Sequence, residues 1–189
     1  NKYSLTVVDP IKYNFLNKKF GHQINVKKNI NSLEKNFFFN YVIFAVRPVE
    51  LENIFHELSN KKFANHTSII SIIAGKKINV FEKNFPNVRN IFRVMPNMPA
   101  SIGQSMNCIV AKKNVTLSKK RDIIRLFSYS GETLMLKDEN QMTVTTIAMG
   151  KRYSLSGRMT CTISNFRIDL YQNDTKIYTI KAKHSRSTT

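Results

Sequence analysis

Two kinds of apolar pattern take turns along most of this chain. One is the short unbroken run: YVIFAV at 41–46, TSIISIIAG at 67–75, NIFRVM at 90–95 and MNCIVA at 106–111. Such runs suit strands covered on both faces, as in a parallel sheet. The other is the helical stripe. Pro48 suits a first helical turn, and VELENIFHELS behind it spaces Val49, Ile54, Phe55 and Leu58 near one face. SKKRDIIRLFSYSG at 118–131 reads as a second helix with Gly131 past its end, and INVFEKNF as a shorter one.

The amino-terminal part keeps the rhythm. SLTVV at 4–8 predicts a strand ending in Asp9-Pro10, and KYNFLNKKFG a helix closed by Gly21. INV at 24–26 predicts a short strand, and NSLEKN a helical turn capped by Asn31 or Ser32. ETLMLK at 132–137 is the last strand of the series. This alternation predicts an α/β fold, a doubly wound, Rossmann-like parallel sheet. Near residue 149 the character changes. Residues 149–189 carry no helical stripe, and alternation is confined to DLYQNDTKIYTI, which allows a hairpin around Asn173-Asp174. The expectation is one domain over 1–148 and a poorly structured tail over 149–189.

Composition adds limits. With 189 residues, 42% of them hydrophobic, the chain can build one good core. Its formal charge of +18 invites a nucleic-acid reading. The lysines, however, fall in scattered pairs (Lys18-Lys19, Lys27-Lys28, Lys61-Lys62, Lys76-Lys77, Lys112-Lys113, Lys119-Lys120) rather than along one face. That is a bias of the whole chain, and nucleic acid is not the expected partner. Cys108 and Cys161 lack metal-ligand spacing and read as two separate thiols in a reducing compartment, with a disulfide as the alternative. The four histidines form no HExxH-like set, so no metal is expected. Without a long apolar run or a signal peptide, the expected location is the cytoplasm, away from membranes. The chain begins with Asn1, which points to processing or to a missing start.

In a doubly wound sheet, ligands sit beyond the carboxyl ends of the strands. VDP at 8–10, AVRP at 45–48, IIAG at 72–75 and RVMPNMPA at 93–100 fall at such ends. In this order and spacing they resemble the pyrroline-5-carboxylate reductase family. That family has an AVKP-type motif after a VIF-like strand, a strand ending in AAG or IAG, and RxMPNTPA. The stretch SYSGETLMLKDENQM is also similar, and the resemblance covers residues 1 to 148.

The resemblance implies site residues. Ala45, Val46, Arg47 and Pro48 match the cofactor-contacting stretch, with arginine where the family has lysine. Ala74 and Gly75 match the small residues that let backbone approach the nicotinamide half. Asp9 stands where a dinucleotide fold meets the adenosine ribose, or else caps the next helix. Asn31 matches an asparagine near the adenosine, or is an N-cap. Pro96, Asn97 and Pro99 match a rigid wall near nicotinamide and imine, with Met98 replacing the usual threonine. Glu139 matches an acidic residue near the substrate, or is an exposed turn carboxylate. No catalytic residue is assigned.

Two departures stand beside these matches. There is no GxGxxG turn, so the family's first strand, turn and helix are expected to be missing. TVTTIA at 143–148 resembles the family's DAVTALS, but MGKRYSL follows where the family continues GSGPAY into a helical dimerisation domain. A truncated or frame-shifted member is the expectation, without the family's homo-oligomer interface. The implied activity is NADPH- or NADH-dependent reduction of the small molecule 1-pyrroline-5-carboxylate to L-proline, in proline biosynthesis. The chain alone is expected to be an inactive fragment. The alternatives are a basic nucleic-acid-binding protein, or an NAD(P)-binding domain of another imine or 2-hydroxy acid oxidoreductase.

Overall fold

The computed structural model describes residues 4–33, 36–96, 98–103 and 105–142, together with the backbone of three strands between 159 and 183. The elements run β1 (Thr6–Val8), α1 (Tyr13–Phe20), β2 (Asn25–Lys27), β3 (Asn36–Phe37), β4 (Tyr41–Phe44), α2 (Leu51–Leu58), β5 (Lys62–Phe63) and β6 (Ser68–Ser71). They continue with α3 (Ile78–Asn84), β7 (Asn90–Met95), β8 (Ser105–Ala111), α4 (Leu117–Phe127) and β9 (Gly131–Met135). Short 3-10 turns cover Ile30–Ser32, Pro48–Glu50, Met98–Ile102 and Ser128–Ser130.

Five strands form one sheet in the order β4-β6-β7-β8-β9, while β1 with β2 and β3 with β5 are parallel pairs of their own. β4, β6 and β7 are mutually parallel, and so are β8 and β9. The Lys112 N–H donates to the Ile91 carbonyl at 2.8 Å, which sets the end of β8 beside the start of β7. Those two strands therefore run in opposite directions, and the expected parallel sheet is mostly parallel with one reversal. The connection at 96–104 is shorter than the dozen or so residues that a parallel crossover needs.

Contacts divide the chain into two compact units, residues 1–93 with 111–115, and residues 94–110 with 116–189. In the first, the unbroken apolar runs become fully buried strand positions: Ile69, Ile70, Ile91 and Phe92 have no exposed surface. Leu51, Phe55 and Leu58 bury one stripe of α2, as their spacing requires. Phe44 from β4 meets Phe55 and Phe81 edge-on, with ring centroids 6.1 and 5.2 Å apart, and Phe55 meets Phe81 at 5.5 Å. Phe85 joins them from just past α3, 5.8 Å from Phe44.

The second unit is organised around a polar residue. Asn107, fully buried in β8, donates from its amide to the carbonyls of Phe127 and Glu132, both at 3.1 Å. Its Oδ1 accepts from the Ser105 hydroxyl at 2.9 Å and the Ser130 hydroxyl at 3.3 Å. All four hydrogen-bonding positions of the amide are used, so its burial is compensated. Gly131 follows with φ 142°, and a Cβ there would meet the Ser105 carbonyl oxygen at 2.0 Å. Only glycine lets the chain turn from α4 into β9 at that approach.

Several boundaries differ from the sequence reading. The cap of the turn at Ile30–Ser32 is Asn29, neither Asn31 nor Ser32: its Oδ1 accepts the Ser32 N–H at 3.0 Å. Asn29 is extended (φ −146°, ψ 163°) directly before the turn, the backbone state a cap needs, whereas Asn31 lies inside the turn. Gly21 does close α1, but in a right-handed conformation. Within 149–189, where a poorly structured tail is the expectation, Met159–Thr162 (β10), Asn165–Gln172 (β11) and Thr175–Lys183 (β12) pair as an antiparallel sheet. Residues 173 and 174, at the expected hairpin turn, lie outside the described residues.

Candidate functional site

Three strand ends of the first unit carry the expected cofactor residues. At the end of β1, the Asp9 N–H donates to the Lys27 carbonyl at 3.1 Å, extending the β1–β2 ladder by one rung. Its side-chain Oδ1 accepts two backbone N–H groups, Ile11 at 2.9 Å and Lys12 at 2.8 Å. The carboxylate is thus fixed by the turn that starts α1. Asn31 lies exposed in the turn that follows β2.

At the end of β4, the Ile72 N–H donates to the Phe44 carbonyl at 3.1 Å, and the chain then leaves the sheet through Ala45, Val46, Arg47 and Pro48. Ala45, Arg47 and Pro48 are exposed, and Val46 is half-buried. Pro48 opens the 3-10 turn, and this brings Glu50 back under Arg47. The Arg47 Nε donates to Glu50 Oε1 at 3.1 Å, and its Nη2 donates to the same oxygen. The guanidinium holds the Glu50 carboxyl below the usual carboxylate range, while the charge of Asp9 pushes weakly the other way. Glu50 escapes notice in the sequence, although R-P-V-E, with opposite charges three residues apart across a turn, is its signal.

At the end of β6, Ala74 and Gly75 are exposed. Gly75 has φ 75°, and a Cβ there would meet nothing within 4 Å. The backbone is therefore open to close approach by a ligand.

The expected substrate wall belongs to the second unit. Pro96 is half-buried after β7, and Pro99 is described by backbone alone, within the turn Met98–Ile102. Asn97 lies outside the described residues. Glu139 is half-buried in a short helical turn capped by Asp138, whose Oδ1 accepts the Asn140 N–H at 2.7 Å. Arg93, the first residue of RVMPNMPA and a cation inside an apolar run, is buried in β7 with 7% exposure, a burial that its charge gives no hint of.

Among the described residues no group of three or more His, Cys, Asp or Glu could hold a metal ion. No described helix is long and apolar enough to cross a membrane.

No family model matches the chain. Curated relatives do, among them these two. Pyrroline-5-carboxylate reductase of Haemophilus influenzae is 30% identical over 131 residues, 69% of this chain and 48% of the relative. That of Synechocystis is 31% identical over 107 residues, 57% of this chain and 39% of the relative. The chain belongs to the pyrroline-5-carboxylate reductase family. It spans no more than about half the length of these curated relatives. Solved structures share the fold. A pyrroline-5-carboxylate reductase from Coxiella burnetii superposes with a TM-score of 0.69 at 20% identity, over 79% of this chain and 54% of that one. The Plasmodium falciparum enzyme, solved with NADP bound, gives 0.58 at 21% identity, over 81% of this chain and 54% of that one.

Proposed function

We propose that this chain is the cofactor-binding part of a pyrroline-5-carboxylate reductase, in which NADPH or NADH reduces the C=N bond of 1-pyrroline-5-carboxylate to give L-proline. The observation that supports the reading is that Asp9, Arg47 and Gly75 each follow the carboxyl end of a strand, β1, β4 and β6, within one compact unit. Doubly wound sheets bind dinucleotides beyond the carboxyl ends of their strands. The residues fit parts of such a cofactor. Asp9 offers an acceptor fixed by backbone, Arg47 a cation, and the Gly75 backbone an uncovered surface.

When bound, the nicotinamide supplies the hydride; the chain's share is binding and orientation. Pro96 and Pro99 fix φ around Asn97, whose amide can both donate and accept. The residues at hand include no Gly-rich turn for the pyrophosphate, so the chain by itself holds the cofactor weakly. The test is a titration of the 15N-labelled chain with NADH and with NADPH. Amide shifts at Asp9–Lys12, Ala45–Arg47 and Ala74–Gly75, with dissociation constants well above the low-micromolar range, are expected. No shift at these three strand ends with either cofactor would refute the reading.

A further inference from the structure

The first unit shows two anionic side chains at the strand ends and a cation already committed to one of them. Asp9 is the less adjustable of the two. Both backbone N–H groups that open the α1 turn bind its Oδ1, which fixes the rotamer and leaves the second carboxylate oxygen without a described hydrogen bond. Its main-chain N–H is tied to Lys27, so the residue cannot swing aside without breaking the ladder as well. Glu50 follows the end of β4, and the Arg47 guanidinium is bound to it through two nitrogens. An arginine held in this way is a poorer partner for an incoming phosphate than a free one.

We propose that Asp9 is a specificity-determining residue that selects NADH over NADPH, with Glu50 reinforcing it by occupying Arg47. This rests on the cofactor-binding function proposed above. The chemistry follows from what the two cofactors present at the adenosine ribose. NADH offers a hydroxyl pair that can donate to the open carboxylate oxygen, a charge-assisted hydrogen bond. NADPH presents a phosphate monoester carrying nearly two negative charges, which cannot donate when ionised and is repelled. Lys12, Lys27 and Lys28 lie in the same turn and strand end. Their flexible ammonium groups attract the phosphates of both cofactors, the 2′-phosphate of NADPH included, and so work against the preference of the carboxylate, which is fixed where they are mobile. The rigid carboxylate does the sorting.

The capping role of Asp9 could hide this effect, and one substitution separates the two. Asparagine caps as well as aspartate and keeps an Oδ1 for Ile11 and Lys12, but has no charge. The experiment titrates the 15N-labelled full chain and its Asp9→Asn and Asp9→Ala variants with NADH and NADPH, following the Ile11, Lys12 and Glu50 amides. Thermal unfolding of all three is recorded alongside. The expected result is at least threefold tighter binding of NADH by the parent chain, with that ratio lost or reversed in Asp9→Asn at unchanged Tm. Asp9→Ala should lose both the ratio and some stability. Equal or tighter NADPH binding by the parent, or a ratio unmoved in Asp9→Asn, overturns the selectivity while leaving the cofactor site standing. Failure of both cofactors to shift these amides overturns the site and the selectivity together.

Discussion

At the scale of single residues, chemistry here follows from how each polar group is compensated. Arg47 and Glu50 compensate one another at the surface, where the exchange is soft and screened. Asn107 is compensated completely inside, and that side chain was the hardest to read in advance. An asparagine in MNCIVA interrupts an apolar run, but nothing local says that its partners are Phe127 and Glu132, some twenty residues away. The strand-end segments proposed for the site were more legible because they follow the strands directly: the positions of AVRP and IIAG could be read from the apolar runs before them. Cys108, one position beyond Asn107, has the opposite fate. It is 1% exposed, and burial pushes its thiol up to about 11. A thiol in water ionises near pH ~8.5, so between that point and pH 11 the unfolded chain releases a proton that the folded chain keeps. Stability from this group is fully present below that window and is lost as pH rises through it, by about 3 kcal/mol over the whole window. Urea midpoints at pH 7.5 and pH 10 should fall further for the parent chain than for Cys108→Ala. Equal falls would mean that the thiol is not held protonated.

At the scale of elements, legibility tracks length. The strands built on four or more apolar positions, β4, β6, β7 and β8, lie where their runs predict, because burial on both faces leaves an unbroken signature. The pairs β3 and β5 are two residues each, too short for any periodicity, and exist through parallel pairing of Asn36 with Lys62 and Phe37 with Phe63. The reversal between β7 and β8 is likewise a property of pairing; only the short connection hints at it. The aromatic cluster is where elements become one unit. Phe81 is 1% exposed and its ring lies 5.2 Å from Phe44 and 5.5 Å from Phe55, so α2, α3 and β4 all lose a neighbour if it is removed. Phe81→Ala should cost about 3–5 kcal/mol, the transfer of the ring plus the cavity it leaves. Phe81→Leu should recover more than half of that, read from urea midpoints. A cost below about 1 kcal/mol for the alanine variant would show that the helices do not depend on this contact.

At the scale of the whole molecule, one feature opposes another. β4 ends the five-stranded order, so among the described residues its outer edge has no strand partner, and Ile43 on it is 46% exposed. An unpaired apolar edge is a template for joining other chains. The charge of +18 works against this, since like-charged copies repel. Repulsion between surface charges fades with ionic strength as the screening length falls from about 10 Å at 0.1 M to about 3 Å at 1 M, whereas edge pairing and apolar contact do not. The chain should therefore be monomeric at low salt and form polydisperse aggregates as salt rises. This is the reverse of the behaviour expected if its charge served to hold a polyanion, where salt releases the partner. Ile43→Lys puts a charge on the edge itself, the usual protection of exposed strands, at a stability cost of about 1 kcal/mol or less for a half-exposed position. Light scattering across 0.05–1 M salt is the measurement, and the variant should move the onset of aggregation to higher salt. A discrete dimer or decamer at low salt would mean that the chain carries a defined interface, and an onset unmoved by Ile43→Lys would locate the association away from β4.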